Sequence, residues 1–265
     1  MNINLKFLLC GAAVWLFPQY AAAQCAVTDC QQLGYTSLKS CTGGLKCPFG
    51  EYWACPKVEE KAVLGECTGY AKNCAIGQIL NSDGTCSNDK VSGKTPIAVV
   101  VYIGDDNCGQ ALALKDLGNM YWAISYVEIP DLPNYPTSSA AEKDFDSCGN
   151  TQKIIKQGNA DKYPAAWAAV NYTPGSVLTI KGKWCLPAGG IGQSMMNNYD
   201  KINSGLSKAG GELLPVLSDM YYWNWSSSER YYGAWKWCYA TGGWKYSEND
   251  SYGSYYGYVR PVIEF

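Results

Sequence analysis

Histidine is absent from this 265-residue chain, and the absence excludes much of enzyme chemistry. Without an imidazole there is no Ser-His-Asp or Cys-His nucleophile activation, no histidine-ligated zinc and no ordinary general base titrating near neutrality. A dominant charge is also missing, since 21 basic residues face 23 acidic ones. That balance leaves no electrostatic footprint for nucleic acid or anionic lipid. The expected partner is therefore external and uncharged or mixed in charge, a protein or a glycan. Beyond the first 23 residues no run approaches the roughly 20 apolar residues of a membrane helix, so no direct membrane span is expected. No C-x-x-C pair occurs, the closest spacing being Cys25-x4-Cys30. With no histidine beside it, the cysteine pattern points to disulfides rather than to zinc, and no metal or cofactor is implied.

What is present starts with a leader. Lys6 supplies a positive start, Phe7 to Phe17 a short apolar segment, and Ala21-Ala22-Ala23 a small-residue exit, so residues 1–23 read as a secretory signal. A lipid anchor on Cys10 is the alternative, but Leu8-Leu9 before it lacks the small residue such sites need. Twelve cysteines then remain, an even number suited to an oxidising compartment. Eight lie in 24–90 (Cys25, Cys30, Cys41, Cys47, Cys55, Cys67, Cys74, Cys86) and four beyond (Cys108, Cys148, Cys185, Cys238). Two separately cross-linked domains are expected, a cysteine-rich module over 24–90 and a larger domain over 91–265, joined at the polar stretch from Ser87 to Lys94. Eight cysteines allow about 105 pairings, among which spacing does not choose.

Glycine and proline at Gly43-Gly44, Pro48, Pro56 and Asp83-Gly84 make the module loop-rich. Cys67-x6-Cys74-x11-Cys86 has a faint likeness to growth-factor repeats, although a stapled spacer is the plainer reading. The larger domain opens with the β-branched run Pro96–Ile103, a turn at Gly104-Asp105-Asp106-Asn107, and a second apolar stretch from Ala111 to Leu114: a hairpin. Helices are expected near 150–157, 160–170 and 192–209. The last carries Met195, Met196, Tyr199, Ile202 and Leu206 on one face and stops at Gly210-Gly211.

The last stretch differs in kind. Between Tyr221 and Tyr258 stand ten of the chain's 21 tyrosines and five of its ten tryptophans, with almost no aliphatic residue until Val259. Tyrosine mixed with serine, glycine and asparagine is the composition of binding surfaces such as antibody loops, where tyrosine offers rigid contact area and small residues offer adaptable hydrogen bonds. Within it, Glu229 and Arg260 are charges among aromatics and need partners, each other or backbone groups. Ser226, Ser227 and Ser228 are expected to fix a loop through side-chain to backbone bonds.

Trp223-Asn224-Trp225-Ser226-Ser227-Ser228-Glu229, Ala234-Trp235, Gly242-Gly243 and Tyr258-Val259-Arg260-Pro261-Val262 resemble the closing motifs of a bacterial C-type-lectin-fold family. That family comprises C-terminal domains of collagen-like adhesins and variable proteins of diversity-generating retroelements, and its fold is related to the formylglycine-generating enzyme. Trp184-Cys185-Leu186-Pro187-Ala188 and the helix ending at Ala209-Gly210-Gly211 look like its W-x-L-P segment and helix, so the likeness covers 95–265 in outline.

The resemblance implies an α+β fold, a C-type-lectin-like domain behind a small disulfide-rich module. It also implies a non-catalytic, exported ligand-binding protein. Trp223, Ser227, Glu229, Trp235 and Arg260 then belong to the frame. In diversified members, template adenines are replaced, so asparagine codons yield Tyr, Ser, Asp, Gly or Asn but never Trp or Lys. Tyr231, Tyr232, Tyr246, Ser247, Asn249, Asp250, Ser251, Tyr252, Ser254, Tyr255 and Tyr256 are all reachable and form the candidate ligand-binding set, while Trp235, Trp237, Trp244 and Lys245 are not.

The related enzyme uses two cysteines with copper, which makes a copper-dependent oxidase one alternative function and a fixed-specificity sugar lectin another. The residues around Cys185 and Cys238 do not reproduce that enzyme's motif. Of the three pairings open to the last four cysteines, Cys185–Cys238 with Cys108–Cys148 is preferred. Asp105-Asp106-Asn107 reads as a turn before it reads as a calcium site, and no carboxylate pair of glycosidase type emerges. Mass spectrometry of the exported protein is expected to find Gln24 as its first residue. An N-terminus at Cys10 bearing lipid would contradict the leader reading.

Overall fold

β3 (Pro96–Ile103) is the β-branched run, and both its faces are covered. Val99 and Val101 meet one apolar cluster with Ile202 and Leu206, while Ala98 and Val100 meet another with Trp184, Ile263 and Phe265. A strand buried on both sides carries no polar alternate, which is why its sequence reads as a continuous apolar run. The computed structural model describes residues 62–124, 128–175, 183–231, 233–248 and 256–265, with 245–248 as backbone only. All lie in the second of two compact units, Met1–Glu60 and Lys61–Phe265.

Around β3 an antiparallel six-stranded sheet forms from β1 (Ile79–Asn81), β2 (Cys86–Ser87), β4 (Gly109–Ala113), β6 (Trp184–Cys185) and β11 (Val262–Glu264), in the order β2-β1-β3-β4-β11-β6. The hairpin expected at Gly104–Asn107 joins β3 to β4, and β11 pairs with β4 through Val262↔Leu112 and Ile263↔Ala111. A second, five-stranded sheet has the order β5 (Asn119–Met120), β10 (Gly257–Tyr258), β7 (Trp223–Arg230), β8 (Gly233–Cys238), β9 (Gly243–Glu248).

Five α-helices surround these sheets among the described residues: α1 (Ser138–Ala141), α2 (Ser147–Ile155), α3 (Pro164–Val170), α4 (Gly189–Asn197) and α5 (Tyr199–Ala209). Asp146 caps α2 by accepting the Gly149 N–H, and Pro164 opens α3 where its missing donor costs nothing. Most strands and helices occupy separate stretches and every named strand pair but the parallel β7–β10 is antiparallel, so the fold is α+β, with disulfides in the loop-rich stretch that precedes β3.

Three expectations are corrected. The helix over 192–209 is two helices, because Asn198 leaves helical geometry (φ −119°, ψ 24°) and its side-chain amide bonds the Ser194 carbonyl at 2.9 Å. Asparagine competes in this way with the helical ladder. The stop itself is as read: Gly210 is left-handed (φ 73°) and Gly211 N–H reaches back to the Leu206 carbonyl at 2.8 Å.

The domain boundary near residue 90 is not where the chain divides, since residues 62–90 supply β1 and β2 to the main sheet. Gly205 on α5 lies so close to Gly77 that an added Cβ would fall against its carbonyl oxygen. One disulfide, Cys67–Cys108, crosses the expected boundary too. Cys67 pairs with Cys108 (Cα–Cα 5.0 Å), Cys74 with Cys86 (5.6 Å) and Cys148 with Cys185 (5.0 Å), in place of Cys108–Cys148 and Cys185–Cys238. Cys238 is buried and free. The cause is packing. The first turn of α2 lies against the chain leaving β6, where Leu186 N–H bonds Thr151 Oγ1 and Ala188 N–H bonds Ser147 Oγ, and this sets Cys148 beside Cys185.

A non-reducing peptide map is expected to link Cys67 to Cys108, Cys74 to Cys86 and Cys148 to Cys185, with Cys238 alkylated only after unfolding. A Cys185–Cys238 peptide would refute the arrangement.

Candidate functional site

The serine triplet sits in a strand, not a loop. Between the pairs Trp225↔Lys236 and Glu229↔Ala234, three residues of β7 face the single Trp235 of β8. Such a bulge leaves backbone groups without ladder partners, and small hydroxyl side chains replace them. Ser226 Oγ donates to the Trp235 carbonyl at 2.7 Å and accepts the Ser228 N–H at 3.2 Å. Ser227 contributes its backbone, donating to the Pro187 carbonyl at 2.8 Å. Ser228 Oγ donates to Asp144 Oδ2 at 2.6 Å and accepts the Gly189 N–H at 2.8 Å. All three serines are fully buried.

Glu229 and Arg260 find backbone partners rather than each other, although Glu229 Oε2 is buried without a hydrogen-bond partner. Glu229 is fully buried, and its Oε1 accepts the Ile129 N–H at 2.8 Å. Desolvation pushes its carboxyl up to about 8, so it carries its proton at neutral pH. Arg260 donates through Nε to the Ala113 carbonyl at 2.8 Å and through its terminal nitrogens to the carbonyls of Leu213 and Glu212. Burial lowers its pKa, and Asp116 beside it works in the opposite sense. Trp235 is buried with its indole N–H on the Tyr135 carbonyl at 2.9 Å, and Trp223 is half-buried at the start of β7.

On this frame the tip of the β7–β8 hairpin presents Tyr231, 51% exposed, in left-handed backbone at φ 51°. The Arg230 guanidinium lies 5.6 Å from its ring and 5.1 Å from that of Trp235. Tyr256 is 42% exposed and packs on Tyr121 with ring centroids 4.2 Å apart. Tyr246 and Ser247 lie in β9, in register with Trp235 and Ala234. Tyr232, Asn249, Asp250, Ser251, Tyr252, Ser254 and Tyr255 lie outside the described residues.

Composition alone did not reveal every contributor, nor which aromatics pair. Tyr121 is the residue just after β5. Tyr222 and Tyr258 stack nearly parallel at 3.5 Å, and Tyr222 OH donates to Asp116 Oδ2 at 2.8 Å. The approach to β7 exposes Val216, Leu217, Met220 and Tyr221, the last at 86%. The absence of any helical or strand period between Gly211 and Tyr222 is the signal that this stretch is a loop, which buries Leu214 and exposes the apolar residues after it.

No family model matches the chain, and no curated protein matches it. A solved structure of a fimbrial protein from Bacteroides ovatus is similar in fold, with a TM-score of 0.51 and 13% identity over 72% of this chain and 49% of that one. The chain thus spans about half the length of that protein, and at this identity the likeness is one of fold.

The protonated Glu229 has a stability consequence. In the unfolded chain it ionises near 4.5, in the folded chain near 8, so between these values the native state binds the extra proton and stability falls as pH rises. Glu229→Gln is expected to remove that slope in thermal melts across the same window. Glu229→Ala, which orphans the Ile129 N–H, is expected to cost about 1–3 kcal/mol at every pH. An unchanged slope in the glutamine variant would show the carboxyl to be ionised.

Proposed function

We propose that the chain is an exported, non-catalytic binding protein of the C-type-lectin-fold family, which meets an external protein or glycan through its tyrosine-rich C-terminal surface. The observation that carries this reading is Tyr231. A non-glycine residue at positive φ is disfavoured, more so when bulky, and asparagine or glycine suits the position better. A half-exposed tyrosine held there is best explained by what its ring touches outside the fold.

The division between frame and display supports the same reading. Trp235, Trp237, Glu229 and Arg260 are consumed in packing and backbone bonding, while Tyr231 and Tyr256 remain at the surface. Burying a few such rings supplies most of a binding free energy, and the smaller residues around them add fit rather than affinity. Export is supported by the leader and by three disulfides, which persist in oxidising compartments. A place at the cell surface is in keeping with the fimbrial neighbour's fold, and no helix among the described residues is long and apolar enough to cross a membrane. The copper-oxidase alternative is weakened because Cys185 is bonded to Cys148, which leaves no Cys185–Cys238 dithiol.

Replacing Tyr252, Tyr255 and Tyr256 together by alanine is expected to leave the melting temperature nearly unchanged, and a collapsed melt would mean these rings hold the core. Sequencing the part of the gene that encodes residues 221–258 across many cells is the complementary test. Changes confined to codons such as those of Tyr231 and Tyr252 are expected, and a uniform sequence would overturn diversification.

A further inference from the structure

Beyond Cys10 in the leader the chain carries twelve cysteines, and the described fold accounts for seven of them. Six are closed in pairs, Cys67–Cys108, Cys74–Cys86 and Cys148–Cys185. The seventh, Cys238, is sealed. It closes β8 with Trp223 of β7 on one side and Gly243 of β9 on the other, is fully buried, and its thiol donates to the Asp219 carbonyl at 3.5 Å. A disulfide needs a second cysteine whose Cα comes within about 7 Å, and among the described residues every other cysteine is already paired. Thiol–disulfide exchange needs a sulfur that another molecule can reach. A thiol shut inside a sheet offers none.

Five cysteines remain, Cys25, Cys30, Cys41, Cys47 and Cys55, all outside the described residues. Five is odd. However these pair among themselves, at least one sulfur is left over, and exchange with the three described disulfides moves that leftover without removing it. Within the chain the one unpaired sulfur still to be found is Cys238, which the sheet shuts away. An odd cysteine in an exported chain therefore points to a bond between molecules. A second copy of the same chain closes the count with nothing further, because each copy brings one odd sulfur and a two-fold pair joins like to like. Any different partner would have to bring an odd cysteine of its own.

We infer that the exported chain is a disulfide-linked dimer of two copies, joined through one of the five cysteines from Cys25 to Cys55, with Cys238 left as a buried thiol in each copy. In forming the bond, one thiol from each copy gives up its proton and together they give up two electrons. Those electrons reduce the disulfide of a thiol–disulfide oxidant of the export compartment to two thiols, which take up the two protons. The dimer rests on the export reading, since removal of the leader with Cys10 is what makes the count odd. It does not depend on the tyrosine surface, but it would serve it. Where a ligand is repeated on a surface, a covalent dimer brings two binding faces, and the second contact forms at an effective concentration fixed by the linkage.

The test is intact-mass measurement and peptide mapping of the whole exported chain, alkylated without reductant. The expected mass is twice that of the chain starting at Gln24, halving on reduction. No label is expected on the folded protein, and one label per copy, at Cys238, after unfolding. Mapping is expected to find the bridge between cysteines of the 25–55 stretch, and a Cys→Ser change at the mapped position to give a monomer without an accessible thiol. Cys238→Ser is expected to leave the dimer intact. A monomer starting at Gln24 overturns the proposal, whether its odd cysteine is open to alkylation, capped by a small thiol or bonded to Cys238, and so does a bridge to a different protein. A chain that still carries Cys10 overturns the export reading and, through it, the odd count, so the N-terminal peptide tells the two failures apart.

Discussion

Asp144 is buried in the protein, and three elements meet at it, two of them distant in sequence. Its Oδ2 accepts from Ser228 on β7 and from Asn150 on α2, and its backbone carbonyl accepts the Gly190 N–H at the start of α4. A buried carboxyl group is tolerated only when its oxygens are hydrogen-bonded. Removing any one of these donors leaves the others to solvate it, so the bulge in β7, the register of β8 and the seat of α4 are not independent choices. The rest of the second sheet inherits its geometry from that junction.

Close approach makes the junction possible. Side chains at 189 and 190 would collide with Ala141, Asp144 and Phe145, and one at 192 with the Trp237 ring at 2.7 Å. The three glycines let α4 lie directly on the α1–α2 stretch and on β8, and α4 in turn carries Gln193, whose Oε1 accepts the Trp244 indole N–H at 3.0 Å. Packing, hydrogen bonding and the path of β9 are thereby linked through one short helix. The proposed tyrosine surface gains its rigidity from this chain of contacts rather than from its own composition.

A second anchor lies at the other end of the sheet. Arg260 ties Ala113 to the carbonyls of Glu212 and Leu213, and Asp116 holds Tyr222, whose ring stacks on Tyr258. Burial raises the pKa of Asp116, while Gly118, Tyr222 and Arg260 work against that rise. This arrangement fixes both ends of the loop that exposes Leu217 and Tyr221. Exposed apolar residues on an anchored loop keep their positions without a partner, which distinguishes a prepared surface from a frayed one.

Much of this was legible locally. The β-branched run became β3, Gly210-Gly211 stopped a helix and Asp83-Gly84 turned, because propensity and turn chemistry act over a few residues, whereas the aromatic composition after residue 220 did not tell the buried Trp225, Trp235, Trp237 and Tyr239 from the exposed Tyr221, Tyr231 and Tyr256. Disulfide partners, the division of α4 from α5 at Asn198, the membership of residues 62–90 in the main sheet, and the meeting of Tyr121 with Tyr256 were not. Cys148 finds Cys185 only because α2 docks on the exit of β6, and Ser226 to Ser228 form a bulged strand only because Trp235, Pro187 and Asp144 converge on them. Such outcomes depend on side chains brought together across long loops, and no local pattern records which distant partner will arrive.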